Sequence, residues 1–169
     1  MSTPERITVG VVVERRKAAN PWVDYTWQAV SVLPGQPEAT PWTVLAEEDG
    51  RTVFYAGSVN IDLHPSVSDY YNDNLTSASP SIWIVLREAD SDPPYRLFAA
   101  TVDPAEGEAF TEAGTDLVEA VPMPDIVRDA VAAFAAAHPV QRSVFKRKRD
   151  RANPEALARR PAGGPESQK

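Results

Sequence analysis

Hydrophobic and polar positions alternate strictly at the start of the chain. Ile7, Val9, Val11 and Val13 fall on one face of an extended segment and Thr8, Gly10, Val12 and Glu14 on the other, the period of two that predicts a strand. Asn20 and Pro21 interrupt the pattern, because Asn-Pro favours a turn and proline cannot donate to a ladder. A second strand is predicted from about Tyr25 to Leu33, closed by Pro34-Gly35, a dipeptide suited to a type II turn. Paired antiparallel with the first, it would carry Tyr25, Trp27, Ala29, Ser31 and Leu33 on one side. A loop punctuated by Pro34, Pro37 and Pro41 leads to a shorter strand over Trp42 to Ala46. Asp49-Gly50 then predicts a hairpin of the type I′ kind, with positive φ at both central positions. The next strand is long, with Val53, Tyr55, Val59, Ile61 and Leu63 on one face and Gly57 marking a bulge or bend.

The period changes after His64-Pro65. Val67, Tyr71 and Leu75 recur at a spacing of four, which predicts a short helix capped by Ser66. The run SIWIVLR is apolar on both faces, as a central strand would be, and YRLFAATV comes after the DSDPP loop as its hairpin partner. Asp103-Pro104 predicts a second short helix, with Asp as N-cap, Pro in the first turn and Gly114 as the stop. A brief strand at Leu117 to Val121 precedes the longest helix. That helix opens at Pro124 and ends at Ala137 or His138, with Val127, Val131 and Phe134 facing the core. The order is that of an α+β fold with a mainly antiparallel sheet, twisted or rolled into a half-barrel, with two short helices and a C-terminal packing helix. From Val53 to Val121 the order also reads β-α-β-β-α-β, so the alternative is a ferredoxin-like unit carrying an extra N-terminal hairpin pair.

Composition divides the chain in two. Residues 1–140 hold 8 basic and 21 acidic side chains, and residues 141–169 hold 9 basic and 3 acidic, so an acidic body of −13 carries a basic segment of +6. The first is expected to be a single globular domain. The second, with KRKRDR and few apolar residues, is expected to be a disordered tail. No apolar stretch approaches the roughly 18 residues of a membrane span, and the first 20 residues lack a signal-peptide core, so the expected location is cytoplasmic. With no cysteine and two histidines in 169 residues, thiol chemistry and iron–sulfur ligation are excluded for this chain, and no metal or other cofactor is expected. Phosphate-binding glycine loops, a nucleophile elbow and HExxH are all missing.

Two sets of residues remain as candidate chemistry. Arg15, Arg16 and Trp22 lie at the connection between the first two strands and could form the Arg and aromatic patch typical of protein interfaces. Trp27 could belong to the same patch, but the simpler reading is that Trp27 is core and Trp22 a turn anchor packed under its own loop. Lys146, Arg147, Lys148 and Arg149 in the tail could join such an interface; an acidic protein is favoured over nucleic acid there, since the acidic body would repel phosphates. The alternative site is Asn60, Asp62 and His64, which share a strand face and could place a carboxylate beside an imidazole in the wall of a small-molecule pocket. Against that, an Asp and a His at a strand end commonly bond nearby backbone. The sequon Asn74-Leu75-Thr76 has no meaning in a cytoplasmic protein.

VGVVVERR, the NPW turn, Trp27 and VLPG, with YAGSVNIDLH, YYNDNL, SIWIVLR, TVDPAEGEAF and VEAVPMP, resemble a bacterial family of small proteins of unknown function. Its genes tend to sit beside those of formate dehydrogenase. The resemblance spans about Arg6 to the last helix and leaves out the residues after His138. It implies no catalytic residue. It implies a non-enzymatic accessory role, in assembly or maturation of a molybdenum or tungsten formate dehydrogenase, with a dehydrogenase subunit or maturation factor as protein partner. Pairing of exposed aromatic strands across a two-fold axis leaves a homo-oligomer open.

Overall fold

A computed structural model describes residues 5–140. Strands β1 (Arg6–Lys17), β2 (Tyr25–Pro34), β3 (Thr43–Glu48) and β4 (Arg51–Asp62) come first. They are followed by a 3-10 turn at Pro65–Val67, α1 (Ser68–Leu75), β5 (Ser81–Glu88), β6 (Tyr95–Thr101), α2 (Pro104–Ala113), β7 (Leu117–Pro122) and α3 (Asp125–Ala137). The fold is α+β with every ladder antiparallel, in two sheets ordered β2-β1-β4-β3 and β6-β5-β7. SIWIVLR is the central strand of the second sheet. Because β4 ladders with β1 and β3 and with none of β5, β6 and β7, the ferredoxin-like unit does not form. The sheets meet where β4 lies against β6 and β2 against β7.

One apolar cluster fills the space between the layers. Val9, Val11 and Val13 of β1, Ile82, Ile84 and Leu86 of β5, and Val127, Val131 and Phe134 of α3 all contribute, each 0% exposed. The face expected for α3 is the face it buries.

Two bulges overturn the simple alternation expected of β2 and β4. Val12 pairs with Ser31 and Val13 with Ala29, leaving Val30 as the extra residue, so beyond the bulge Val32 continues the buried face and Ser31 and Leu33 turn away. In β4, Val11 pairs with Gly57 and Val12 with Tyr55, which leaves Ala56 extra. Gly57 holds φ +126°, open to glycine and rarely to other residues. Val53 and Tyr55 consequently face opposite to Val59 and Ile61, and Phe54, across from Val13, takes the inner face instead.

Turn and cap chemistry matches the expectation in part. Asp103 caps α2 through Oδ1, which accepts the Ala105 amide at 2.9 Å, and Gly114 ends the helix at φ +72°. Ser66 is not the cap of α1; the positions preceding the 3-10 turn and α1 are His64 and Val67, and neither caps with its side chain. At the β3–β4 turn only Gly50 has positive φ, so the turn is not type I′. Asn74, near the end of α1, makes the link that the sequence did not announce. Its Nδ2 donates to the carbonyls of Ser81 at 2.8 Å and Val102 at 3.0 Å, and its Oδ1 accepts from the Ser81 amide at 3.0 Å. The basic segment 141–169 lies outside the described residues.

Candidate functional site

The ladders gather rings at one end of the first sheet. Arg15 stands opposite Trp27 on β2 and Thr52 on β4, and Val13 stands opposite Phe54, so these residues share the inner face. Trp27 stacks on Phe54, with centroids 5.8 Å apart and an interplanar angle of 21°. It meets Trp42 edge-on at 6.2 Å, Tyr25 at 6.5 Å and, from the second sheet, Tyr95 at 5.8 Å. Such offset and edge-to-face pairs are the favoured geometries for rings. The Arg15 guanidinium carbon lies 4.3 Å from the Tyr25 centroid, 5.4 Å from that of Phe54 and 5.7 Å from that of Trp27, all within cation–π range.

Adjacent arginines meet opposite fates here, because successive side chains on a strand leave by opposite faces. Arg16 turns to the outer face, where its Nε donates to Glu14 Oε1 at 2.7 Å, and Arg51 holds the other oxygen of Glu14 through its own Nε. The Glu14 carboxyl is held below its ordinary pKa, first by the Arg16 hydrogen bond and then by that of Arg51. Arg15 has no such partner. Its Nη2 donates to Thr52 Oγ1 at 3.2 Å, its Nε is enclosed without any acceptor, and none of the ion pairs among the described residues includes it.

Two further costs fall at the same end. Trp42 has φ +68°, unusual for a bulky residue, and a backbone held there costs on the order of 1–3 kcal/mol. Trp22 is 89% exposed. It does not pack beneath its own turn. Asn20 Oδ1 accepts the Trp22 amide at 2.8 Å, Val23 donates to the Asn20 carbonyl at 3.2 Å and Ala18 to that of Asp24 at 3.1 Å, so the connection is braced by its own hydrogen bonds. Val23 and Tyr25 beside it, and Val44 opposite Phe54 on β3, are also exposed. Trp27 is half-buried against the core, as expected.

Asn60, Asp62 and His64 do line one cleft, of about 210 Å³, with Thr101, Glu106 and Phe110 on the far side. Asn60 Oδ1 accepts from Thr8 Oγ1 at 2.7 Å, and Asp62 Oδ1 is bound by Arg6 Nε at 2.9 Å. No hydrogen bond joins Asp62 to His64. That cleft is smaller than the roughly 300–1,000 Å³ usual for ligand sites, but Asp62 and His64 also line a second, open cleft of about 510 Å³ with Glu5, Arg6 and Leu63. Lys146, Arg147, Lys148 and Arg149 lie outside the described residues.

The sequence picked out Arg15, Arg16 and Trp22 together; the structure sets Arg16 apart on Glu14. Phe54 was missed because the Gly57 bulge inverts the β4 pattern, and Trp42 and Tyr95 because only the tertiary fold brings them to β2. Among the described residues no helix is long and apolar enough to cross a membrane, and no group of three His, Asp or Glu side chains is placed to hold a metal ion.

The chain belongs to a family described as a protein of unknown function (DUF3305), which matches residues 8–149. The match continues past His138, where the motifs in the sequence stop, and so takes in residues 146–149. No curated protein and no solved structure matches the chain.

Proposed function

We propose that the chain is a cytoplasmic, non-enzymatic accessory protein that works by protein contact, and that its partner is a subunit or maturation factor of a molybdenum or tungsten formate dehydrogenase. The contact surface is the Arg15 end of the first sheet with the Trp22 connection beside it. What carries this reading is Trp22, an indole left 89% exposed on a connection that is internally braced. An exposed indole forgoes the hydrophobic stabilisation that burial would bring, and Trp, Tyr and Arg are the side chains that most often anchor interfaces. Three stability costs converge there: the exposed indole, the φ of Trp42 and the enclosed donor of Arg15. The dehydrogenase assignment draws on the sequence resemblance and on gene adjacency in that family, which is association rather than mechanism.

Deleting the gene in the native host tests this reading. The expected result is dehydrogenase protein that is made but poorly assembled, with reduced formate oxidation, restored by the wild-type chain and not by Trp22→Ala. Normal formate oxidation in the deletion strain would sink it. The cleft at Asn60, Asp62 and His64 supports a small-molecule reading less well, since Asp62 is already engaged by Arg6 rather than by His64. Loss of function in Asp62→Asn or His64→Gln, with Trp22→Ala unaffected, would favour that reading instead.

A further inference from the structure

We infer that β3 accepts an extended segment of the protein partner as a further strand, and that this segment is apolar along one half and carries Lys or Arg along the other. The inference rests on the protein-contact reading above and gives that partner its chemistry.

β3 ends the first sheet and ladders with β4 alone. At the other end of that sheet β2 lies against β7, and β6 of the second sheet lies against β4, whereas every residue of β3 from Val44 to Glu48 is exposed. An antiparallel strand turns its amides and carbonyls to alternate sides, so an edge strand presents an unpaired row to an incoming chain. Edges of this kind are commonly protected by lysine or proline, and TVLAEE contains neither. Val44 and Leu45 are each 51% exposed instead. Leu45 is the bulged residue, so the bulge does not cover the edge.

Register and charge describe the incoming strand. Val44 stands opposite Phe54 and Glu47 opposite Thr52, so both fall on one face; Ala46 and Glu48, opposite Val53 and Arg51, fall on the other. Each face of β3 thus offers an apolar position first and an acid after it. Glu48 is held by Arg51 Nη1 at 3.2 Å, while among the described residues no ion pair includes Glu47 or Asp49 of the turn that follows. A segment with apolar residues along Val44–Ala46 and basic ones along Glu47–Asp49 matches both halves. Residues 1–140 carry 21 acidic side chains against 8 basic, so an acidic segment, or the acidic body of a second copy, is repelled. Main-chain hydrogen bonds then supply affinity, and the match of side chains supplies specificity.

The test is a titration of the full-length ¹⁵N-labelled chain, followed in the backbone amide signals of residues 43–49. The first probe is a short peptide, blocked at both ends, with a valine-rich half and a lysine-rich half. The second replaces its lysines by glutamates. The third is the lysine peptide N-methylated through its central residues, which keeps the side chains but leaves neither edge able to donate. The expected result is a saturable shift centred on residues 43–49 by the lysine peptide. Its affinity should be roughly fivefold or more above that of the glutamate peptide, a preference that shrinks as salt is raised, and roughly tenfold or more above that of the N-methylated peptide. Glu47→Lys, at an exposed position, should keep the melting temperature and lose most of the preference for lysine. No shift at millimolar lysine peptide, equal affinity for the lysine and glutamate peptides, N-methylated peptide binding as tightly, or shifts confined to other elements would each overturn the inference. The two readings fail separately: if the peptides fail these tests but Trp22→Ala still loses the natural partner, only the strand-accepting role of β3 is lost.

Discussion

Glu14 shows how one residue stiffens the end of the sheet that carries the site. Its carboxylate bridges Arg16 on its own strand and Arg51 on the neighbouring one, and both hold its pKa down. A carboxyl with a lowered folded-state pKa contributes stability that is present above its unfolded range and disappears as the pH falls through the folded value. Glu14→Gln should therefore cost most at neutral pH, and the gap to wild type should close on acidification, as measured by urea unfolding over a pH series. A pH-independent gap would contradict the assignment. Asn74 makes a second prediction at this scale. Asn74→Leu removes three hydrogen bonds and leaves the Ser81 amide and two carbonyls without that partner, so a loss of about 2 kcal/mol or more is expected in chemical denaturation. Neither role was legible in the sequence. Glu14 read as one polar position on an alternating strand and Asn74 as part of an idle sequon, because both act on groups far away along the chain.

At the scale of elements, the pattern of the sequence was a good guide wherever a segment is regular. The α3 core face, the Asp103 cap with its Gly114 stop, and the central position of SIWIVLR all come from periodicity and local chemistry. The failures sit at β-bulges, where one extra residue exchanges the two faces of a strand. Gly57 hinted at such a break, but nothing local told which of Val53, Phe54, Tyr55 and Ala56 would end up inside, and that exchange hid Phe54 from the candidate site. Close packing of helix on sheet offers a sharper test. A Cβ on Gly107 in α2 would fall inside the contact distance of the Trp83 ring of β5. In an exposed helix Gly→Ala gains up to about 1 kcal/mol, whereas overpacking typically costs about 1–3 kcal/mol. Gly107→Ala should lower the melting temperature in a thermal scan; a rise would mean that α2 can lift from β5 without penalty.

At the scale of the molecule, among the described residues two sheets and α3 enclose one core, and the features that cost stability gather where Tyr95 of the second sheet meets the rings of the first. Arg15 and Trp22 were legible as candidates because their residue types and their position at a strand connection are local facts. Their separation from Arg16, and their union with Trp42, Phe54 and Tyr95, depend on register and on long-range packing. A surface built for contact should separate binding from folding: Trp22→Ala, at an exposed position, should change stability by no more than about 0.5 kcal/mol, while Trp27→Ala, in the middle of the ring cluster, should be strongly destabilising. The most direct test of the protein-contact role is affinity purification of the tagged full-length chain and of Trp22→Ala from the native organism, with co-purifying proteins quantified against equal amounts of folded bait. The wild-type chain should enrich a formate dehydrogenase subunit or maturation factor, and Trp22→Ala should lose it while keeping its melting temperature. Equal enrichment by both chains, or no such protein with either, would contradict a contact role for this surface.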